Sequence, residues 1–269
     1  MIDYLCNAFT PDRASIWHAA TAGLALKIRA GEFVEPEAMV DRMDELGFST
    51  LLLPTGDLDD GDFTPVASRF SETAKLAERW PGRFAGLALI DPRGGIGGVR
   101  ELDRRLVDEW IVGCYLHTHS FDRPFDAAEY YPFYALAATH DVPVVMQAGF
   151  SGGMTASECG RPIGIDRAAL YFTDTRFVLS HTGYPWVDEA IAMARKFSNV
   201  FVGTASYPPR RWPAALVEFL TSHKVLFGTN FPTVGHSQAV AQLQELGFDH
   251  DNALVEDTAR RVFTRVRNA

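Results

Sequence analysis

Cysteine is scarce in this sequence of 269 residues: Cys6, Cys114 and Cys159 lie far apart and in no CxxC pair. That argues against a disulfide framework and against a cysteine-based structural zinc site. No uninterrupted apolar run reaches the roughly 18 residues of a membrane span. The chain opens directly into an apolar run at Ile2, with no basic region before it and no cleavage site after it. A cytoplasmic protein without a membrane partner is the expectation. Basic clusters are missing too: 25 Lys and Arg against 34 Asp and Glu leave a net charge of −9, which removes nucleic acid as a partner. No repeat, low-complexity tract or linker divides the sequence, so residues 1–269 read as a single domain. No GxGxxG follows the first apolar run, which weakens a dinucleotide-binding Rossmann reading.

What is present is an alternation. Apolar residues are 47% of the chain, and they fall into short runs at Ile2–Ala8, Thr50–Pro54, Phe84–Ile90, Val112–Leu116, Val142–Gln147, Phe177–His181, Val200–Gly203 and Val225–Gly228. Each run is apolar on both faces, the pattern of strands buried in a parallel sheet. Amphipathic segments separate them: Glu35–Leu46, Ala67–Trp80, Val99–Glu109, Ala127–His140, Asp166–Thr173, Val187–Phe197, Pro213–Ser222 and Gln238–Leu246. In the first of these Met39, Met43 and Leu46 share a face and Gly47 supplies a stop. Eight such units in this length predict an α/β protein, a single (β/α)8 TIM barrel. Two segments exceed the repeat. Residues 9–34 carry Trp17 and an extra helical insertion around Ile16–Ile28, and residues 149–165 are rich in glycine and small polar residues. Both follow strand ends on the face where barrels build active sites, and long loops there are candidate lids.

The strand ends also carry a resemblance. The strings LSHTGYPW, in the sixth unit, and LFGTNFP, in the eighth, are similar to the amidohydrolase branch that contains the carboxymuconate-semialdehyde and aromatic-acid decarboxylases. In that branch a strand-six His is followed by Gly and often Pro-Trp, and strand eight ends in Gly-Ser/Thr-Asp-Tyr/Phe-Pro. The segment from Gly113 to Gly149 resembles the family's fourth and fifth units in register. The resemblance covers nearly the whole chain and is strongest over about residues 112 to 232.

The family's metal set is His-x-His on strand one, His on strands five and six, and Asp on strand eight, because imidazole and carboxylate suit a divalent ion that activates water or polarises a carbonyl. Position by position, the resemblance places Leu5 and Asn7 where the two strand-one histidines belong, Gln147 at the strand-five His and Asn230 at the Asp, and it retains His181. Leucine cannot ligate, and neutral amides bind transition metals poorly. The expected cofactor is therefore none, with a zinc-type ion disfavoured.

Without a metal, His181 is the candidate general acid/base, and Asn7, Gln147 and Asn230 are candidates to donate hydrogen bonds to a carbonyl or carboxylate. Strand alternation places Tyr115, His117 and His119 together at the end of the fourth run. His117, His119 and His181 offer a relocated three-ligand metal site or a set of hydrogen-bonding pocket residues. Asp91, Thr204 and Ser206 end other runs. Arg123, Arg161, Arg210 and Arg211 sit in loops on the expected active face, where one can fork onto a substrate carboxylate. Trp17, Tyr184, Trp186 and Phe231 are candidates for an aromatic wall, with packing as the competing explanation. Cys6 points away from Leu5 and Asn7 into the core, and His236 has no motif support.

Three functions compete. One is a metal-independent enzyme that hydrolyses or decarboxylates a small carbonyl or carboxylate substrate. The others are a non-catalytic barrel that binds a small molecule or partner subunit, and a metal enzyme rebuilt on the three histidines. The family resemblance further implies a homo-oligomer, a dimer.

Overall fold

The computed structural model describes residues 1–7, 9–14, 33–57, 69–153 and 155–267. All eight apolar runs form strands: β1 (Ile2–Asp3), β2 (Thr50–Thr55), β3 (Phe84–Leu89), β4 (Ile111–Leu116), β5 (Val144–Met146), β6 (Phe177–Leu179), β7 (Val200–Gly203) and β8 (Val225–Leu226). They pair in sequence order, each parallel to the next. The ring closes beyond the short ends of β1 and β8. There the Tyr4 amide donates to Phe227 O (3.3 Å), the Asn230 amide to Leu5 O (2.8 Å) and the Asn7 amide to Phe231 O (2.9 Å).

The structure is the TIM barrel that the alternation predicts, with its helices covering a sheet whose outer side packs one large apolar layer. The helix Pro36–Leu46 ends at Gly47, whose φ of 76° lets Phe48 N–H reach back to Met43 O at 2.8 Å, a turn glycine makes without steric cost. The segment expected over Val99–Glu109 starts earlier, as Gly95–Arg105. The Asp91 carboxylate accepts from Arg93 N–H and starts a turn at Pro92 that leads straight into the glycines. A C-terminal helix, Thr258–Val262, was not evident from the periodicity. The insertion around Ile16–Ile28, with Trp17, lies outside the described residues. No helix among the described residues is long and apolar enough to cross a membrane.

The barrel interior is filled rather than open. Ile2, Tyr4, Leu5, Leu87, Val145, Val178 and Leu226 meet there, and Ala259, Val262 and Phe263 pack into the same cluster. Phe263 lies against the start of β4, where a Cβ on Gly113 would come within 3.2 Å of its ring, so the C-terminal helix plugs the end at which the strands begin. Tyr4 spans the interior. Its hydroxyl bonds Ser180 Oγ at 2.8 Å, and a Cβ on Gly228 would lie 2.5 Å from its ring. Those contacts explain glycine at the end of β8. With the interior packed, a ligand can meet this barrel's polar groups at the ends where the strands finish.

Candidate active site

Side chains at those ends come from six strands. β1 bends after Asp3, because the Asp3 carboxylate accepts from Leu5 N–H at 3.2 Å. Leu5 then packs in the interior, Cys6 joins the outer layer, and Asn7 turns back toward the mouth. Three non-glycine residues at successive strand ends hold left-handed backbone: His181 (φ 58°) after β6, Ser206 (φ 68°) after β7 and Asn230 (φ 52°) beyond β8. Such conformations cost energy and persist where surrounding contacts over-determine them, commonly at functional sites.

Those contacts are visible. Asn7 Nδ2 donates to Asn230 Oδ1, and Asn230 Nδ2 donates to Ser206 Oγ (2.6 Å) and Thr233 Oγ1 (3.3 Å). Both hydrogens and the oxygen of the Asn230 amide are therefore used within the protein. The expectation that Asn230 would donate to a substrate is corrected accordingly: its amide is a brace linking the ends of β1, β7 and β8. Gln147 behaves differently. Its Oε1 accepts from Tyr115 Oη at 2.8 Å and its backbone carbonyl from Thr118 Oγ1 at 2.8 Å, which leaves the Nε2 group as a fixed donor pair without a partner among the described residues.

β4 ends at Leu116, and His117 introduces a helical turn, Thr118–Phe121. Tyr115, His117 and His119 are thus neighbours by a turn rather than by strand alternation, with the two imidazole centroids 5.7 Å apart. His117 Nδ1 bonds Ser120 Oγ. His119 Nε2 donates to Gly149 O at 2.9 Å, and its Nδ1 is buried without a partner. His181 Nδ1 is likewise buried and unpartnered, which leaves Nε2 as the accessible nitrogen of a ring that is 9% exposed. Burial, reinforced by His119, pushes the His181 pKa down to about 3. Burial also holds His117 well below the usual imidazole range, with His119 and His181 adding to the effect, and it lowers His119. Charging any of the three would need desolvation energy that no carboxylate among the described residues offsets.

Several expected wall residues sit elsewhere. Phe231 is fully buried and stacked on His236 at 4.5 Å, on the outer side of the ring with Cys6. Arg161 forks onto Glu189 (2.8 and 2.9 Å) and also pairs with Glu158, with its guanidinium 5.7 Å from the Trp186 ring. Arg123 pairs with Glu129 and Arg210 with Glu245. Tyr184 is exposed and packs on Tyr207. The loop 149–165 is pinned at its base: Gly149 N–H donates to Gly160 O and Phe150 N–H to Tyr184 O, each at 2.6 Å. Gly160 must stay small there, since a Cβ would run into the His119 ring.

Asp3, Thr229 and His236 form a buried cluster that the sequence reading passed over. Asp3 accepts from Thr229 N–H (2.9 Å), Thr229 Oγ1 and His236 Nε2 (3.0 Å) besides Leu5 N–H. The signal available in the sequence was a lone acid in the apolar first run. Among the described residues, Asp3, Cys6 and His236 are the group of three whose possible metal-ligating atoms lie within 4.8 Å of one another. The carboxylate is already saturated by four donors, so the group reads as a structural pin. His117, His119 and His181 do not converge in that way, and the relocated three-histidine site is not assembled.

The family model for amidohydrolases matches residues 33–265. The chain belongs to the amidohydrolase family. No curated protein matches its sequence significantly. Among solved structures, the chain is similar to an uncharacterized TIM-barrel protein from Bordetella bronchiseptica, with 20% identity, TM-score 0.78 and 99% of each chain covered. It is also similar to 5-carboxyvanillate decarboxylase from Sphingomonas paucimobilis, with 17% identity, TM-score 0.68 and 98% of each chain covered. A dihydroxybenzoic acid decarboxylase from Polaromonas with bound manganese and 2-nitroresorcinol gives 16% identity and TM-score 0.67, covering 99% of this chain and 98% of that one. At such identities the fold is what is shared.

The described residues at the family's ligand positions do not fit a family-type metal. Leu5 offers no donor atom. The amide oxygens of Gln147 and Asn230, the atoms of those groups able to ligate, already accept hydrogen bonds from Tyr115 and Asn7. The His181 imidazole and the Asn7 amide oxygen remain of the family set, and two neutral ligands, one of them an amide, are too few for a divalent ion.

Proposed function

We propose that this amidohydrolase acts without a metal on a small carbonyl compound, by hydrolysis or decarboxylation, with His181 as the group that moves protons. The observation that carries this reading is His181 itself. It sits at the end of β6 on strained backbone, with its accessible Nε2 beside the strand that presents the free Gln147 donor pair. The solved neighbours named as decarboxylases favour lyase or hydrolase chemistry on small carbonyl or aromatic compounds. In the hydrolytic form, Gln147 Nε2 donates to the carbonyl oxygen and stabilises the charge that develops there. Water gives a proton to His181 Nε2 while its oxygen bonds the carbonyl carbon. The proton then passes to the leaving group as the carbon–leaving-group bond breaks.

A ligand-binding barrel without turnover is the second reading. What favours it is the unpartnered His181 Nδ1, since no carboxylate among the described residues orients the ring or raises its basicity. The deciding experiment assays protein purified without a His-tag against esters, lactones, amides and aromatic acids, alongside elemental analysis. Turnover that is insensitive to chelator, accompanied by substoichiometric metal, and that falls about 100-fold or more in His181→Ala is the expected result. Unchanged turnover in His181→Ala removes the assignment, and no turnover of any substrate favours the second reading.

A further inference from the structure

We propose that the outer face of the helix Asp166–Tyr171 is a contact between two copies of this chain, paired antiparallel about a two-fold axis. A helix that serves packing alone turns its large apolar residues inward. This one does the reverse. Its small residues, Ala168 and Ala169, are buried in the outer apolar layer of the barrel, while Leu170 and Tyr171 stand 56% and 73% exposed. Among the described residues, Tyr171 is the most exposed of the large hydrophobics, and Leu170 and Tyr171 are the one adjacent pair of them. Ile163, in the helical turn Pro162–Ile165 that leads into the helix, is exposed as well.

The charges beside that apolar pair select a second copy as what covers it. Asp166 pairs with Lys196 within the chain, and Arg176, beyond the helix, with Asp141. Arg167 and Asp174 are exposed and have no ion pair among the described residues. They bracket Leu170 and Tyr171: Arg167 stands one turn before them, and Asp174 three residues after Tyr171 in the turn Phe172–Thr175. That turn is held fast. Thr175 N–H donates to Phe172 O at 3.0 Å, Thr175 Oγ1 to Tyr134 O at 2.9 Å, and Asn199 Nδ2 to Phe172 O and Thr175 O, each at 3.0 Å. A fixed turn lowers the entropy lost on docking. The order cation, apolar pair, anion is self-complementary under a two-fold rotation, the symmetry of most protein dimers. With the helices antiparallel, Leu170 and Tyr171 meet their equivalents at the axis. Arg167 then lies beside the partner's Asp174, twice in each dimer.

The test is sedimentation velocity of the untagged full chain at neutral pH. The wild type is expected to be a dimer at about 20–100 µM. Leu170→Asp together with Tyr171→Asp, both at exposed positions, is expected to give a monomer. Arg167→Asp and Asp174→Arg each set like charges face to face twice, and each is expected to weaken the dimer about tenfold or more. The combined Arg167→Asp and Asp174→Arg variant restores opposite charges across the axis, and is expected to recover the wild-type affinity within about threefold. A role for either residue in the fold of its own chain would not produce that rescue. A wild type that is monomeric at about 100 µM overturns the inference, as does a dimer indifferent to both reversals or not recovered by the exchange. Hydrogen exchange of the wild type decides the matter even if a variant fails to fold. Amides of residues 163–174 are expected to exchange more slowly as concentration rises, and slowing confined to other segments overturns the proposal.

Discussion

Lowering the pH from about 7.5 to about 5 should destabilise this barrel through His181, and the size of the effect follows from its burial. In the unfolded chain the imidazole titrates near 6.5, and in the folded protein burial holds it down to about 3. Below pH 6.5 the unfolded state therefore binds a proton that the folded state refuses, so stability falls as the pH drops toward 3 and is constant above about 7. For those two values the loss from His181 alone is about 2 kcal/mol at pH 5, growing to about 4–5 kcal/mol near pH 3. His117 and His119 are shifted in the same direction and add to the slope. Urea denaturation of the wild type and of His181→Gln, at both pH values, isolates the contribution. The free-energy gap between the two proteins should change by about 2 kcal/mol in favour of the variant as the pH falls. A gap that stays constant between pH 7.5 and 5 would refute the claim that the ring is buried neutral.

Two stability tests address the supports of the site. Gly160→Ala should cost about 1–3 kcal/mol, because the new methyl overlaps the His119 ring and comes within 2.6 Å of Gly149 O. Gly97→Ala, in a helix where a Cβ meets nothing within 4 Å, should instead stabilise by about 0.5–1 kcal/mol; equal effects in thermal melts would dismiss the steric argument. Asp3→Asn should cost about 2–4 kcal/mol, since an amide NH2 would face donors where the carboxylate now accepts from Leu5, Thr229 and His236. A loss under about 0.5 kcal/mol in urea would show that the cluster is not the pin described.

Much of the architecture was readable in advance. The eight strands lie where the apolar runs predict, and most differ only in how far they extend: Phe177–His181 shrinks to Phe177–Leu179, and Val225–Gly228 to Val225–Leu226. The trimmed residues leave the sheet for other contacts: Ser180 and Gly228 pack on Tyr4, Phe227 joins the outer layer, and His181 turns to the mouth. His181 could be placed because a strand end fixes its side of the barrel. Phe231 could not, because its burial against His236 depends on the crossing of β1 and β8, whose residues are far apart in the chain. Asp3 and His236 were missed for the same reason, being 233 positions apart.

By itself the sequence determined the barrel, through runs apolar on both faces alternating with amphipathic segments, and it determined the replacement of imidazole and carboxylate by Leu5, Asn7, Gln147 and Asn230. Only the tertiary structure decided which of those amides is available. An amide has a fixed number of donors and lone pairs, and whether they are used depends on neighbours supplied by ring closure. Asn230 meets Asn7, Ser206 and Thr233 and is exhausted, while Gln147 meets Tyr115 through its oxygen and keeps its nitrogen free. Two residues that look equivalent along the chain are thereby separated into a brace and an amide with donors to spare.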